Sequence, residues 1–282
     1  MKKATFLTTW FLLLLVCVIG KQHTTYALSS KGEAFTPFSF QVEAQNWNTV
    51  KELLPKGAKF TVIDVESGKS FNVQRRAGSK HADVQPLTGK DTKIMKDIYD
   101  GNWSWRRKAV LILTKDKLIA ASMHGMPHGA GALENNFPGH FCIHFTGSTT
   151  HSKGRADLSH HVMILKAAGQ LEEYMKNLSP SKMTEVLLVA IKNGDNGLVK
   201  KNTLHLTKLE EEKLIKIEAL HWKINSSNTM NITSLETSVL VELKIFIKDA
   251  GPITTEVSFP LMRTSPFSPW KIDLEPFLSS LD

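Results

Sequence analysis

The sequence predicts an α+β chain, with a mainly β domain over residues 58–178 followed by a smaller α+β domain over residues 180–282 built from a helix and a curved antiparallel sheet. Three observations carry this. The chain has 282 residues with 41% hydrophobic content, enough for two modest folded units and too apolar for a disordered or fibrous protein. Short β-rich runs recur in pairs across turn residues. Ser179-Pro180-Ser181 then separates a helical stretch from a second helix and a further set of strand-like runs.

Taken in order, Met1-Lys2-Lys3, the apolar residues 10–20 and Thr25-Tyr26-Ala27 have the layout of a secretory signal peptide over residues 1–27, with cleavage after Ala27. The apolar run is too short to span a bilayer comfortably, so membrane contact is expected only through an uncleaved signal anchor. Residues 28–57 read as a leader that ends in a short amphipathic helix, Gln45 to Leu54, stopped by Pro55-Lys56-Gly57. Lys59 to Glu66 and Lys69 to Arg76 form a hairpin around Ser67-Gly68. From Asp91, a cap candidate, Ile94, Met95, Ile98 and Tyr99 share a helical face up to Gly101. Strands follow at Lys108–Leu113 and Lys117–Met123, then a loop rich in His, Gly and Asn, then a strand from Phe141 to Phe145. Residues 157–178 read as one long helix, and residues 182–192 as a second helix ended by Asn193-Gly194. The rest is strand-like: 214–224, 237–248, 254–262 and the close at Trp270 to Asp273.

The net charge is +8, but Lys2, Lys3 and Lys21 lie in the acid-free signal region. The remaining excess is mild. It suits an anionic surface and falls short of a nucleic-acid footprint, so no nucleic-acid partner is expected. Cys17 belongs to the apolar run, which leaves Cys142 as the single cysteine of the exported chain. A lone thiol outside the cell has no intramolecular disulfide partner, and its neighbours decide whether it is a small buried hydrophobe or a nucleophile.

Those neighbours are histidines. Eight of the eleven fall between residues 81 and 161: His81, His124, His128, His140, His144, His151, His160 and His161. Read singly, His151, His160 and His161 are surface or hydrogen-bonded histidines. In His140-Phe141-Cys142-Ile143-His144 the period of a strand puts His140, Cys142 and His144 on one face, with Phe141, Ile143 and Phe145 toward the core. An imidazole beside a thiol takes its proton and stabilises the thiolate. A second loop, Met123-His124-Gly125-Met126-Pro127-His128-Gly129, can bring another imidazole over the sulfur, its glycines letting backbone approach closely. On this basis Cys142 is expected to be partly accessible, with a depressed pKa.

A β-hairpin, then a His-Gly loop, then an apolar strand holding a lone cysteine with histidine two residues before it resembles the L,D-transpeptidases, exported enzymes that cross-link peptidoglycan. That family has a His-Gly site followed by Ser-His-Gly-Cys-Ile/Val-Arg. His128 and His124 precede Cys142 by 14 and 18 residues, both inside the family's interval. Gly139-His140-Phe141-Cys142-Ile143-His144 keeps His, Cys and Ile in register, and departs with Gly139 for Ser, Phe141 for Gly and His144 for Arg. The stretch from His81 through Trp103-Ser104-Trp105 to His151 is also similar to exported proteins of spore-forming bacteria that carry this variant motif. The C-terminal region is similar in plan to the cone-shaped folds of the nuclear-transport-factor-2-like type.

The resemblance implies a cell-wall or secreted location and a thioester at Cys142 formed on a peptidoglycan stem peptide with release of D-alanine. It gives His128 as base, His124 as the alternative, and His140 as an orienting group. The oxyanion would rest on backbone N–H groups near Phe141 and Cys142. Gly129, Phe141, His144, Arg155, Trp103 and Trp105 are the expected substrate-side residues, with Arg155 or Arg106-Arg107 replacing the missing arginine's charge. No cofactor is implied and no metal site is assigned. Two other classes fit the residues: a catalytically silent protein that binds anionic wall polymers, and a zinc hydrolase drawing on His81, Asp83, His124, His128, His140, Cys142 and His144. The zinc class rests on composition, because no His-x-x-Glu-His spacing is present.

Overall fold

The computed structural model describes residues 41–150, 156–225 and 233–281. The expected signal peptide, His151 and Arg155 lie outside them. The described chain is α+β, and none of its helices is long and apolar enough to cross a membrane.

The first sheet contains β1 (Val42–Glu43), β2 (Lys59–Asp64), β3 (Ser70–Ala77), β4 (Ala82–Pro86), β5 (Arg107–Leu113), β6 (Leu118–His124) and β7 (Phe141–His144). Its order is β1-β6-β5-β2-β3-β4-β7, and β7 also pairs with β6. That extra pairing closes β2 to β7 into a six-stranded barrel and removes the free edges a sheet would otherwise expose. The hairpin around Ser67-Gly68 is present, with Phe60 opposite Val73 and Val62 opposite Phe71. These side chains, with Ile112, Phe141 and Ile143, fill the barrel.

α1 (Trp47–Leu53) starts at the Asn46 cap and stops before Pro55. α2 (Gly89–Ile98) begins earlier than its apolar pattern suggests. Thr88 is the N-cap, and Asp91 sits three residues inside, where its carboxylate accepts from the Thr88 hydroxyl and from the Asn72 N–H. The helix expected over 157–178 is two helices, α3 (Leu158–Ala167) and α4 (Leu171–Lys176). Gly169, at φ +68, turns the chain between them, and the Gln170 N–H closes back onto the Leu165 carbonyl. α3 lies across β5 and β6, so these strands are covered on both faces.

α5 (Pro180–Asn193) takes Ser179 as its cap and Pro180 in its first turn, and it ends at left-handed Gly194. The second sheet runs β11 (Lys271–Ile272), β10 (Gly251–Met262), β9 (Glu236–Ile247), β8 (Ile217–Ile224), all antiparallel. Leu187 and Ala190 of α5 share a core with Val241, Leu243, Phe259 and Trp270. Three short helices were not expected: α6 (Asn196–Asn202), α7 (Lys208–Ile215) and α8 (Glu275–Ser279). Leu214 is therefore helical, and its strand begins at Ile217. Thr207 and Glu210 make a reciprocal capping box at the start of α7, a Thr-x-x-Glu signal that is readable in the sequence.

Candidate active site

The polar residues gather on the outer face of the barrel, where β4, β6 and β7 meet beneath α3. Asp83 of β4 stands opposite Cys142 of β7, and Ser122 of β6 stands opposite His144. The period of two holds as expected: Phe141, Ile143 and Phe145 enter the barrel core, while Cys142 and His144 are buried on the opposite side. His128 is clamped beside them by a bridge to His140, in which each residue's N–H donates to the other's carbonyl at 2.9 Å. Two glycines make the clamp possible. A Cβ on Gly129, at φ +61, would lie 2.3 Å from His140 Cε1, and one on Gly139 would lie 2.6 Å from the His128 carbonyl oxygen. The close backbone approach that these glycines permit is to the chain's own histidines.

Cys142 Sγ lies 3.2 Å from His128 Nε2. His128 Nδ1 is 3.1 Å from the Met126 carbonyl oxygen, and because a carbonyl only accepts, Nδ1 carries the proton and Nε2 presents its lone pair to the sulfur. On the other side Sγ is 3.6 Å from Asp83 Oδ1. Asp83 is itself held 3.2 Å from His81 Nε2, and His81 Nδ1 is fixed by the Thr149 carbonyl at 2.8 Å. The thiol proton thus has two acceptors within reach, an imidazole and a carboxylate.

Behind this pair three imidazoles stack in a column. His144 packs between His81 and His160, with ring centroids 4.4 Å and 3.7 Å away, and His160 Nδ1 meets the Ser122 hydroxyl at 2.9 Å. His124, at the end of β6, lies 5.2 Å from His128 ring to ring and has a buried Nδ1 with no hydrogen-bond partner among the described residues. Trp105, half exposed, covers both at 4.7 Å and 5.6 Å. Burial, reinforced by Arg107 and the neighbouring imidazoles, holds His124 well below the usual histidine range. Burial and His144 do the same to His160. Both rings are neutral at pH 7.

The expectation of an accessible, acidic thiol is overturned. Cys142 is 3% exposed. Burial pushes its pKa up, and Asp83 adds to this by repelling the thiolate and bonding the thiol. Cys142 thus keeps its proton in the unliganded protein.

No protein family, curated protein or solved structure matches the chain.

Of the residues singled out in the sequence, Cys142, His128, His124, His140, Gly129 and Trp105 come together here. The His140 ring lies tilted against His128 with centroids 4.5 Å apart, and its Nδ1 meets the Ala130 carbonyl. His144 is buried inside the imidazole column, away from any open groove. The Phe141 side chain is in the barrel core against Phe71 and Phe137, so only its backbone borders the site. Trp103 packs edge-on to Phe137, with Lys96 over its ring, and together with Trp105 it lines a cleft beside the site. Arg106 donates to the Ile217 carbonyl and Arg107 pairs with Asp157 at 2.8 Å. The sequence reading missed His160 and gave His81 and Asp83 no part in the thiol site. The alternation in His81-Ala82-Asp83, which sends both polar side chains to one face, was the available signal for the last two.

Proposed function

We propose that the chain is an exported acyl transferase of the L,D-transpeptidase type, with Cys142 as nucleophile and His128 as general base. One observation carries the reading: the 3.2 Å approach of Cys142 Sγ to a His128 Nε2 whose lone pair is aimed by the Nδ1–H bond to the Met126 carbonyl. As Sγ attacks the substrate, the S–H proton moves to Nε2 while sulfur adds to the carbonyl carbon that bonds a stem peptide's terminal D-alanine. Collapse of the oxyanion breaks the C–N bond, the imidazolium returns its proton to the leaving amine, and D-alanine departs. An amine or water then attacks the thioester, and the sulfur regains its proton. Because the resting thiol keeps its proton, proton transfer accompanies attack rather than preceding it.

A cleft of about 660 Å³ supports a peptide-sized substrate. It begins at Trp105 and Met126, on the His128 side of the site, and continues along Arg106, Lys108, Lys192 and Lys248, with Asp100 and Glu218 the carboxylates among them. Its basic lining suits the carboxylates of a stem peptide. The nuclear-transport-factor-2-like reading of the C-terminal part is proposed on its plan alone, helix α5 over a curved antiparallel sheet.

The test is intact-protein mass spectrometry after incubation with a stem tetrapeptide. An adduct of the tetrapeptide's mass less D-alanine is expected, absent in Cys142→Ala and slowed about a hundredfold or more in His128→Gln. No adduct in the wild type, or one that persists in Cys142→Ala, overturns the reading. The silent wall-binding alternative has the burial of Sγ in its favour. It predicts binding to isolated cell wall that survives Cys142→Ala, with no adduct at any time.

A further inference from the structure

We infer that Cys142, His128 and His124 form a binding site for a thiophilic divalent cation of the Zn²⁺ class. One ligand atom from each of these residues lies within 4.8 Å of the others, all in the polar layer under Trp105. A tetrahedral zinc with bonds of about 2.3 Å to sulfur and about 2.1 Å to nitrogen holds its ligand atoms roughly 3.6 Å apart. The Sγ to Nε2 separation of 3.2 Å is already close to such an edge.

A second triad, His81, Asp83 and Cys142, is equally compact. The first is favoured by the state of its lone pairs. His81 uses Nδ1 on the Thr149 carbonyl and Nε2 on Asp83, so it would have to give up a bond to take a metal. His124 is 3% exposed, with an Nδ1 that meets nothing among the described residues, and a buried nitrogen left without a partner is destabilising unless something fills its place. His128 is pre-aimed, since a ligating imidazole is normally oriented by a hydrogen bond from its other nitrogen, and the Met126 carbonyl supplies that bond.

Asp83 completes the electrostatic case. Its carboxylate lies 3.6 Å from the sulfur in a buried layer, where a thiolate beside it would be repelled unless a nearby cation offset the charge. A dication balances both. Binding displaces the thiol proton and joins sulfur to metal, so the metal-bound form cannot act as an acyl nucleophile. This last consequence rests on the acyl-transfer reading. The site itself does not.

Co²⁺ is the probe, because a cobalt–thiolate bond gives a near-ultraviolet charge-transfer band. The chelator-stripped full chain is titrated with Co²⁺ and then with Zn²⁺ in competition. Expected are one equivalent of Co²⁺ per chain, a charge-transfer band absent in Cys142→Ala, and at least a tenfold weaker affinity in His124→Gln. Circular dichroism of both variants confirms that they fold. A wild-type chain that binds no stoichiometric Co²⁺, or a band unchanged in Cys142→Ala, overturns the site. Full affinity in His124→Gln overturns the assignment of this triad. The thioester assay is run in chelator, so failure of acylation and failure of metal binding are read separately. If both hold, Zn²⁺ suppresses adduct formation and chelator restores it.

Discussion

The barrel and the four-stranded sheet bury their strands differently. β9 and β10 alternate along much of their length, with Val241, Leu243, Ile245 and Phe259 inward and the intervening positions wet. Around the site, β4 and β7 are buried at every position, and β6 from Ile119 onward. A sheet with one wet face leaves its polar side chains to water. A sheet covered on both faces must satisfy them internally. Here α3 and the His128 loop cover the second face, and its polar side chains meet one another as imidazole stacks, a carboxylate and a thiol. Two-sided burial is what makes these polar side chains partners of one another rather than of water.

The largest test of this contrast is chemical. His128→Ala should slow acylation of Cys142 by about a hundredfold or more, while changes on the wet face of β9 and β10 leave it untouched, as measured by adduct formation under single-turnover conditions. Next is the core of each half. Phe141→Ala in β7 and Phe259→Ala in β10 should each destabilise by about 3–5 kcal/mol, read as a lower denaturant midpoint with unchanged slope. The neighbouring residues should then part company. His144→Ala empties a place between two rings and should cost about 1–3 kcal/mol. Ser258→Ala, exposed beside Phe259, should stay within about 0.5 kcal/mol. Equal losses at these two positions would break the comparison.

The smallest effect concerns the strap between the two regions. Lys166 of α3 bonds Glu66 in the β2–β3 turn and Asp195 at the start of α6. Burial alone would raise the Glu66 pKa, but its bonds to Lys166 and Lys108 outweigh that and leave it lowered. A lowered carboxylate contributes stability that is complete above the unfolded value of about 4.3 and fades as pH falls through the folded value. Glu66→Gln should therefore weaken the protein at pH 7 by less than about 1 kcal/mol and not at all at pH 2, as followed by thermal melts across that range. A loss that grew on acidification would contradict the strap.

Much of this was legible locally. The Ser67-Gly68 hairpin, the β5–β6 pair, the parity of Phe141 to His144 and the stop at Asn193-Gly194 follow from turn chemistry and periodicity, which act over a few residues. The break at Gly169 and the capping box at Thr207 were equally local, and were missed because an apolar spacing of three and a β-rich composition spoke more loudly. The surroundings of the thiol were not local. His160 lies 38 residues from Ser122, and Asp83 lies 59 from Cys142.

By itself, the sequence determined which residues alternate, where the chain turns, and that Cys142 sits among imidazoles on one face of a strand. Only the tertiary structure decided that the face is sealed beneath a helix. Sealing removed water from the thiol, set Asp83 against it, and raised its pKa where the neighbouring histidines alone pointed the other way. The reason is that a side chain's parity is fixed by its own backbone, whereas the dielectric and charges around it are fixed by strands and helices that arrive from elsewhere in the chain.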